Sequence, residues 1–259
     1  MVIESINPAT GERTRAYKEM SPETVEAAIQ KTHRAYLEWK TTGFAERATL
    51  MKKAAALLLQ KADSYGKLMA EEMGKPIREG RAEAEKCAWV CDYYAENAES
   101  FLQPEIIETD ASKSFVAFRP LGVVLAIMPW NFPFWQVLRF AAPALMAGNG
   151  GMLKHASNVT GCALAIEEVF RDAGFPEDIF KTVIASSKQV GAMLENPLIA
   201  AATLTGSTPA GSAVAKKAGE MLKKTVLELG GSDPYVLMED ADLEAEVTTC
   251  VRSRLLNGG

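Results

Sequence analysis

The stretch that decides the fold is Leu121-Gly122-Val123-Val124-Leu125-Ala126-Ile127-Met128-Pro129-Trp130-Asn131-Phe132-Pro133. Seven residues, Leu121 to Ile127, carry no polar side chain, and a proline-bracketed asparagine follows. An apolar run of this length, ended by Pro129 and Pro133, reads as a buried strand and then a loop. Charge is absent as far as Leu138, so a membrane span must be considered. Pro129, Asn131, Pro133 and Gln136 argue against it, because two prolines so close together interrupt helical hydrogen bonding mid-segment.

Working downstream, short apolar runs recur at Gly151–Lys154, Phe180–Ile184, Ala200–Leu204 and Thr225–Leu229. Amphipathic stretches near Trp135–Met146, Val159–Ala173, Lys188–Leu194 and Pro209–Ala218 lie between them. Strand–helix alternation of this kind predicts an α/β fold, a Rossmann-like parallel sheet with flanking helices on both faces. Ligands of such sheets sit beyond the carboxyl ends of the strands. Pro129–Asn131, Lys154–Ser157, Thr205–Ser207 and Glu228–Gly231 all fall there.

Upstream, the first hundred residues read as helices. Ser21-Pro22-Glu23 has the composition of a helix start, followed at helical spacing by Val25, Ala28, Ile29, Thr32, Tyr36 and Trp39. A second helix is expected from about Ala45 to Met73, stopped by Gly74-Lys75-Pro76, and a third from about Ile77 to Phe101. The charges of the third, including Glu79, Arg81, Glu83, Glu85 and Lys86, read as a solvated face. Ile106 to Phe118 reads as an exposed strand hairpin, a candidate for pairing with another chain.

The totals exclude some functions. With 259 residues, 48% hydrophobic and 24% charged, the chain has ordinary globular composition. A net charge of -5 with dispersed basic residues speaks against nucleic-acid or anionic-membrane partners. No basic-then-apolar leader opens the sequence, and a cytoplasmic location is expected. Cys87, Cys91, Cys162 and Cys250 are expected to be reduced core thiols rather than disulfides or metal ligands.

Each polar strand end has two readings. Asn131 either donates its amide to a developing oxyanion or satisfies turn backbone. Lys154 either snorkels outward or meets an anion such as a ribose or phosphate group. Thr205-Gly206-Ser207-Thr208-Pro209-Ala210-Gly211 ends a strand and opens a helix whose N-terminus attracts phosphate, but its glycine spacing matches neither the dinucleotide fingerprint nor the P-loop. Glu228, before Leu229-Gly230-Gly231, is either a capping or ion-paired acid or a general base raised by burial.

Taken together, PWNFP, LTGSTPAG and LELGGSDP resemble the aldehyde dehydrogenase superfamily, in order and over the whole chain from Asn7-Pro8-Ala9-Thr10-Gly11 to Asn257-Gly258-Gly259. EEMGKP, MPWNFPFWQVLRFAAP and ELGGSDP make the succinate-semialdehyde dehydrogenase branch the nearest resemblance. The resemblance implies a cysteine thiolate attacking an aldehyde, Asn131 stabilising the oxyanion, hydride transfer to NAD or NADP, and Glu228 activating water to hydrolyse the thioester. It places Met128, Pro129, Trp130, Lys154, His155, Ala156, Ser157, Gly206, Ser207 and Leu229 at the cofactor. Where the family often has a glutamate for the adenosine ribose, this chain has Ser157, so acceptance of NADP as well as NAD is expected.

Arg139 matches a position that reaches the substrate's far carboxylate in the semialdehyde branch; an ion pair with a glutamate is its other reading. The family nucleophile follows Asn-x-Gly, and this sequence ends at Gly259 before it; Cys250, in a helical run, reads as a buried structural thiol. The expected organisation is an NAD(P)-binding domain over 1–229, with the hairpin at about 105–120, and the start of an incomplete catalytic domain over 230–259. A strand and helix over Tyr235–Leu256 would then expose Val247, Val251 and Leu255 unless another chain covers them. The implied partners are a small-molecule aldehyde and copies of the same chain, with a complementing C-terminal chain as another route to a whole enzyme. The alternative is a non-catalytic dinucleotide-binding fragment or split-gene subunit.

Overall fold

In the computed structural model, residues 2–256 are described. The Asn257-Gly258-Gly259 end of the resemblance lies outside them.

β5 (Val123–Met128) is central. It pairs in parallel with β6 (Gly150–His155) on one side and β8 (Ile199–Thr205) on the other, and β7 (Phe180–Thr182) and β9 (Lys224–Glu228) complete the order β7-β6-β5-β8-β9. Five of the six β5 residues are buried, as its uninterrupted apolar sequence demands. Burying each valine or leucine there contributes about 1.5–3 kcal/mol.

The crossovers are α5 (Trp135–Met146), α6 (Thr160–Ala173), α7 (Ser187–Glu195) and α8 (Thr208–Glu220). The expected helix bounds hold to within one or two residues, and a 3-10 turn over Ser157–Val159 precedes α6. Coverage of the sheet is less complete than expected. α8 packs on β8 and β9, but the alternate residues Val124, Met128, Ala201, Thr203, Thr205, Val226 and Glu228 look from the other face into a cavity of about 640 Å³ beside α5. β9, an edge strand, is therefore half-exposed rather than buried, and Glu228 at its end is exposed.

The N-terminal region departs from the all-helical reading. Val2–Ile6 (β1) and Arg13–Lys18 (β2) form an antiparallel hairpin around Asn7–Glu12. Their alternation is too polar to stand out, and the hairpin is held from outside by Glu72, whose buried carboxylate accepts from Ser5 Oγ at 2.7 Å and from the Gly161 and Cys162 amides at 2.9 Å. α1 (Pro22–Trp39) follows, capped by Ser21, and buries the six expected residues. The single helix expected over Ala45–Met73 is two, α2 (Phe44–Gln60) and α3 (Ala62–Met73), broken at Lys61, whose ψ of 11° leaves the helical range. Gly74 ends α3 with φ +76°, a left-handed conformation that suits glycine.

α4 (Ile77–Phe101) corrects another expectation: Glu83 is not on a solvated face but buried on the apolar stripe with Gly80, Ala84, Cys87 and Cys91. The expected hairpin is present as β3 (Glu105–Ile106) and β4 (Phe115–Val116), antiparallel and exposed. Residues 229–238 form no strand, while α9 (Leu243–Arg254) is helical and has no buried residue. Val247, Val251 and Leu255 are more than half exposed, as expected, and Cys250 is only partly buried rather than a core thiol. Cys87, Cys91 and Cys162 are buried free thiols, and burial pushes all three up from the ordinary thiol range. No described helix is long and apolar enough to cross a membrane.

Candidate active site

Strand register brings the candidate residues to one edge. Met128 pairs with His155, Ile127 with both Lys154 and Leu204, and Thr205 with Glu228, so β5, β6, β8 and β9 all end within about a residue of each other. The Thr205–Gly206 turn is tied to β9 by the Gly206 amide, which donates to the Glu228 carbonyl at 3.0 Å.

A cavity of about 780 Å³ opens at this edge. Pro129, Trp130, Asn131, Arg139, Gly206, Glu228 and Leu229 line it, together with the Gly74–Pro76 turn after α3. Arg139 and Glu228 also line the neighbouring 640 Å³ cavity, as does Met128. Among the described residues, neither Arg139 nor Glu228 forms an ion pair. A guanidinium, an amide and a carboxylate thus face a space of ligand size, with glycines at 206, 230 and 231 leaving backbone open to it.

Of the remaining candidates, Lys154 to Ser157 sit at the end of β6 and Ser207 follows β8; none of them lines the 780 Å³ cavity. Lys154 is half-buried, makes no hydrogen bond or ion pair among the described residues, and is pulled down from the usual lysine range by desolvation. An ammonium without a counter-charge in that setting favours an anionic or polyhydroxyl ligand. Ser157 is exposed, and Ala156 and Ser207 flank the same strand ends. Ser207 caps α8, accepting from the Ala210 amide at 3.4 Å. His155 is buried: its Nε2 lies 2.9 Å from the Pro133 carbonyl, and its Nδ1 accepts from the Ala156 amide at 2.9 Å. Nδ1 also lies 3.1 Å from the Met128 carbonyl, and burial favours the neutral ring, lowering its pKa from 6.5 to about 4. The histidine thus holds loop backbone.

Sequence reasoning missed the groups beneath the site. Glu83 accepts at one carboxylate oxygen from the Phe134 amide at 2.8 Å and the Trp135 amide at 2.9 Å, and its other oxygen meets Lys75. At the opposite end of α5, Arg47 donates to the Met146 carbonyl at 3.0 Å. An acid at the helix start and a cation at its end both oppose the helix dipole. Gly148, with φ +88°, leaves the guanidinium room: a Cβ there would lie 2.8 Å from Arg47. The available signal for Glu83 was its place between Gly80 and Cys87 on the apolar side of α4.

A twisted parallel sheet with a polar cleft at its carboxyl edge defines a Rossmann-like α/β protein. Comparison places it more narrowly: the chain belongs to the aldehyde dehydrogenase family, whose profile matches residues 1–259. It is 50% identical over its whole length to a "Probable succinate-semialdehyde dehydrogenase [NADP(+)]" of Synechocystis sp.. It is also 50% identical to succinate-semialdehyde dehydrogenase (NADP(+)) 1 of Mycobacterium tuberculosis. The solved succinic semialdehyde dehydrogenase of Streptococcus pyogenes, in complex with NADP+, superposes with a TM-score of 0.95 at 33% identity over 99% of this chain. The chain spans 57% of the length of each of these three relatives.

Proposed function

We propose that residues 1–229 form the NAD(P)-binding domain of an aldehyde-oxidising enzyme, that 230–259 begin its catalytic domain, and that succinate semialdehyde is the substrate. The observation that carries this reading is that Asn131, Arg139 and Glu228 line one cavity with Gly206 at the carboxyl edge of the sheet. The names of the relatives, each a succinate-semialdehyde dehydrogenase for NADP, support the substrate and the cofactor.

The cleft is of ligand size and glycine-lined on one wall, and Lys154 stands outside its lining at the end of β6, the strand next to β5. Met128, Pro129, Trp130, Lys154, Ala156, Ser157, Gly206, Ser207 and Leu229 would hold NAD or NADP, whose nicotinamide supplies the hydride acceptor, and His155 would brace the loop behind them. Arg139 binds the far carboxylate of the semialdehyde and turns its aldehyde carbon inward. When a thiolate adds to that carbon, the carbonyl electron pair moves to oxygen, and the Asn131 amide donates to the resulting oxyanion. After oxidation to the thioester, Glu228 takes a proton from water, hydroxide adds to the acyl carbon, and the thiolate leaves with the carboxylic acid released.

Cys87, Cys91, Cys162 and Cys250 do not line the cavity. The nucleophile is therefore assigned to a segment beyond these four thiols, in the same chain or a complementing one. The exposed apolar side of α9 favours such a partner segment. Formation of NADPH from NADP with succinate semialdehyde, measured on this chain and on a form extended to the relatives' length, tests the proposal. The extended form should turn over and the 259-residue chain should not; an inactive extended form, folded and binding NADP, would refute the aldehyde reading.

A further inference from the structure

We infer that Glu83, seated on Lys75, is a positioning residue for the loop that carries Asn131. The inference rests on the reading of Asn131 as oxyanion donor. Both groups are deeply buried: the Lys75 side chain is 0% exposed and that of Glu83 2%. A buried ion pair is seldom more stabilising than apolar residues of equal size, so stability alone does not account for a charged pair at this depth. What a carboxylate offers here is two acceptors in fixed directions. One oxygen gathers the Phe134 and Trp135 amides, at the junction of the loop and α5, and the other is held by Lys75.

Lys75 does more than neutralise. Its ammonium lies 4.0 Å from the ring centroid of Phe132, the residue after Asn131, and it lines the same cavity. From the opposite side, the His155 imidazole bonds the Pro133 carbonyl at 2.9 Å, and Phe134 packs on Tyr65 with ring centroids 4.8 Å apart. Pro129 and Pro133 fix φ within the loop itself. The chain is thus tied down from two elements, α4 and β6, at Pro133, Phe134 and Trp135, shortly after the asparagine. An amide that must meet an oxyanion tolerates little displacement, since a shift of about 1 Å can cost about 100-fold in rate. Asn131 sits on an exposed loop, and the clamp beneath it supplies the rigidity that the loop's own exposure does not.

A double-mutant cycle with Asn131 separates positioning from general scaffolding. In the extended, active form, Glu83→Ala should lower kcat by about 10-fold to 100-fold while the KM for aldehyde and for nucleotide stays within about threefold. On an Asn131→Ala background the same change should cost almost nothing further. Lys75→Met with Glu83→Gln keeps an amide acceptor for Phe134 and Trp135 without orphaning a charge, and should recover most of the lost kcat. Equal losses from Glu83→Ala in both backgrounds would overturn the inference while leaving the Asn131 role intact. No loss from Asn131→Ala alone would overturn the Asn131 role and the inference with it. In the 259-residue chain itself, amide exchange at Phe134 and Trp135 should quicken in Glu83→Ala and stay slow in the double variant; unchanged exchange in Glu83→Ala refutes the clamp.

Discussion

Asn131, on the loop after β5, and Glu228, the last residue of β9, face one cavity although β6, β7 and β8 lie between their strands in the chain. The relationship is a product of strand order: β8 returns to the far side of β5, and β9 adds beside β8, so the strands of the sheet that come first and last in the chain share one cleft. In the proposed reaction a donor and a base would thereby be available to successive steps.

Removing the base should separate those steps. In the active, extended form, Glu228→Gln is expected to lower steady-state turnover by about 100-fold or more, the usual range for a general base. The first turnover, which needs no water activation, should persist as a burst of NADPH. Loss of burst and steady state together, with nucleotide still bound, would assign Glu228 to an earlier step.

Removing the donor should slow both. Asn131→Ala is expected to lower kcat by about 100-fold to 1000-fold, as for other single oxyanion donors. Stopped-flow measurement of NADPH formation reads the first step directly, and an unchanged burst rate would contradict the assignment.

Arg139→Ala should raise the KM for succinate semialdehyde by about 10-fold, the equivalent of one hydrogen bond to a charged group. An uncharged aldehyde of equal length should be affected far less. Equal effects on both would leave Arg139 without a role in reading the carboxylate.

Nucleotide binding can be followed on the 259-residue chain, because Trp130 lies half-exposed in the cavity and its fluorescence reports occupancy. Ser157→Glu should weaken NADP far more than NAD, since a carboxylate would repel the 2′-phosphate. Lys154→Met should weaken NADP too. Identical titrations for all three proteins would remove both residues from the nucleotide site.

The acid limb of stability should carry the signature of His155. Its folded pKa, about 4, lies below the ordinary 6.5, so the unfolded chain binds the proton more readily. The neutral ring's contribution is present above pH 6.5 and is lost as pH falls towards 4. Between pH 7 and pH 5 the loss should be about 2 kcal/mol. Urea unfolding at the two values measures it, and His155→Gln should flatten the dependence by that amount; an equally steep fall in the variant would place the proton uptake elsewhere.

Much of this was legible without coordinates because it is local. α5 begins two residues after Pro133 and ends at Met146 as its periodicity places it, Ser21 caps α1, and each of the five parallel strands lies on a short run that includes apolar residues. The break at Lys61 was not legible, because Ala45–Met73 contains no proline, and its one glycine, Gly66, falls inside α3 rather than at the break. The β1–β2 hairpin was hidden for the opposite reason: its strands are mostly exposed and polar, and their anchor is Glu72, distant in sequence.

By itself the sequence determined the order of the parallel strands and their crossover helices, the chemistry of the strand ends and the family resemblance, since all three reside in residue type and short-range spacing. Only the tertiary structure decided that Glu228 is exposed on an edge strand, that Arg139 shares its cavity, and that Glu83 lies under the Asn131 loop rather than in solvent. Burial and partnership of a charge depend on which distant element packs against it, and a helix pattern specifies a face without specifying what that face will meet.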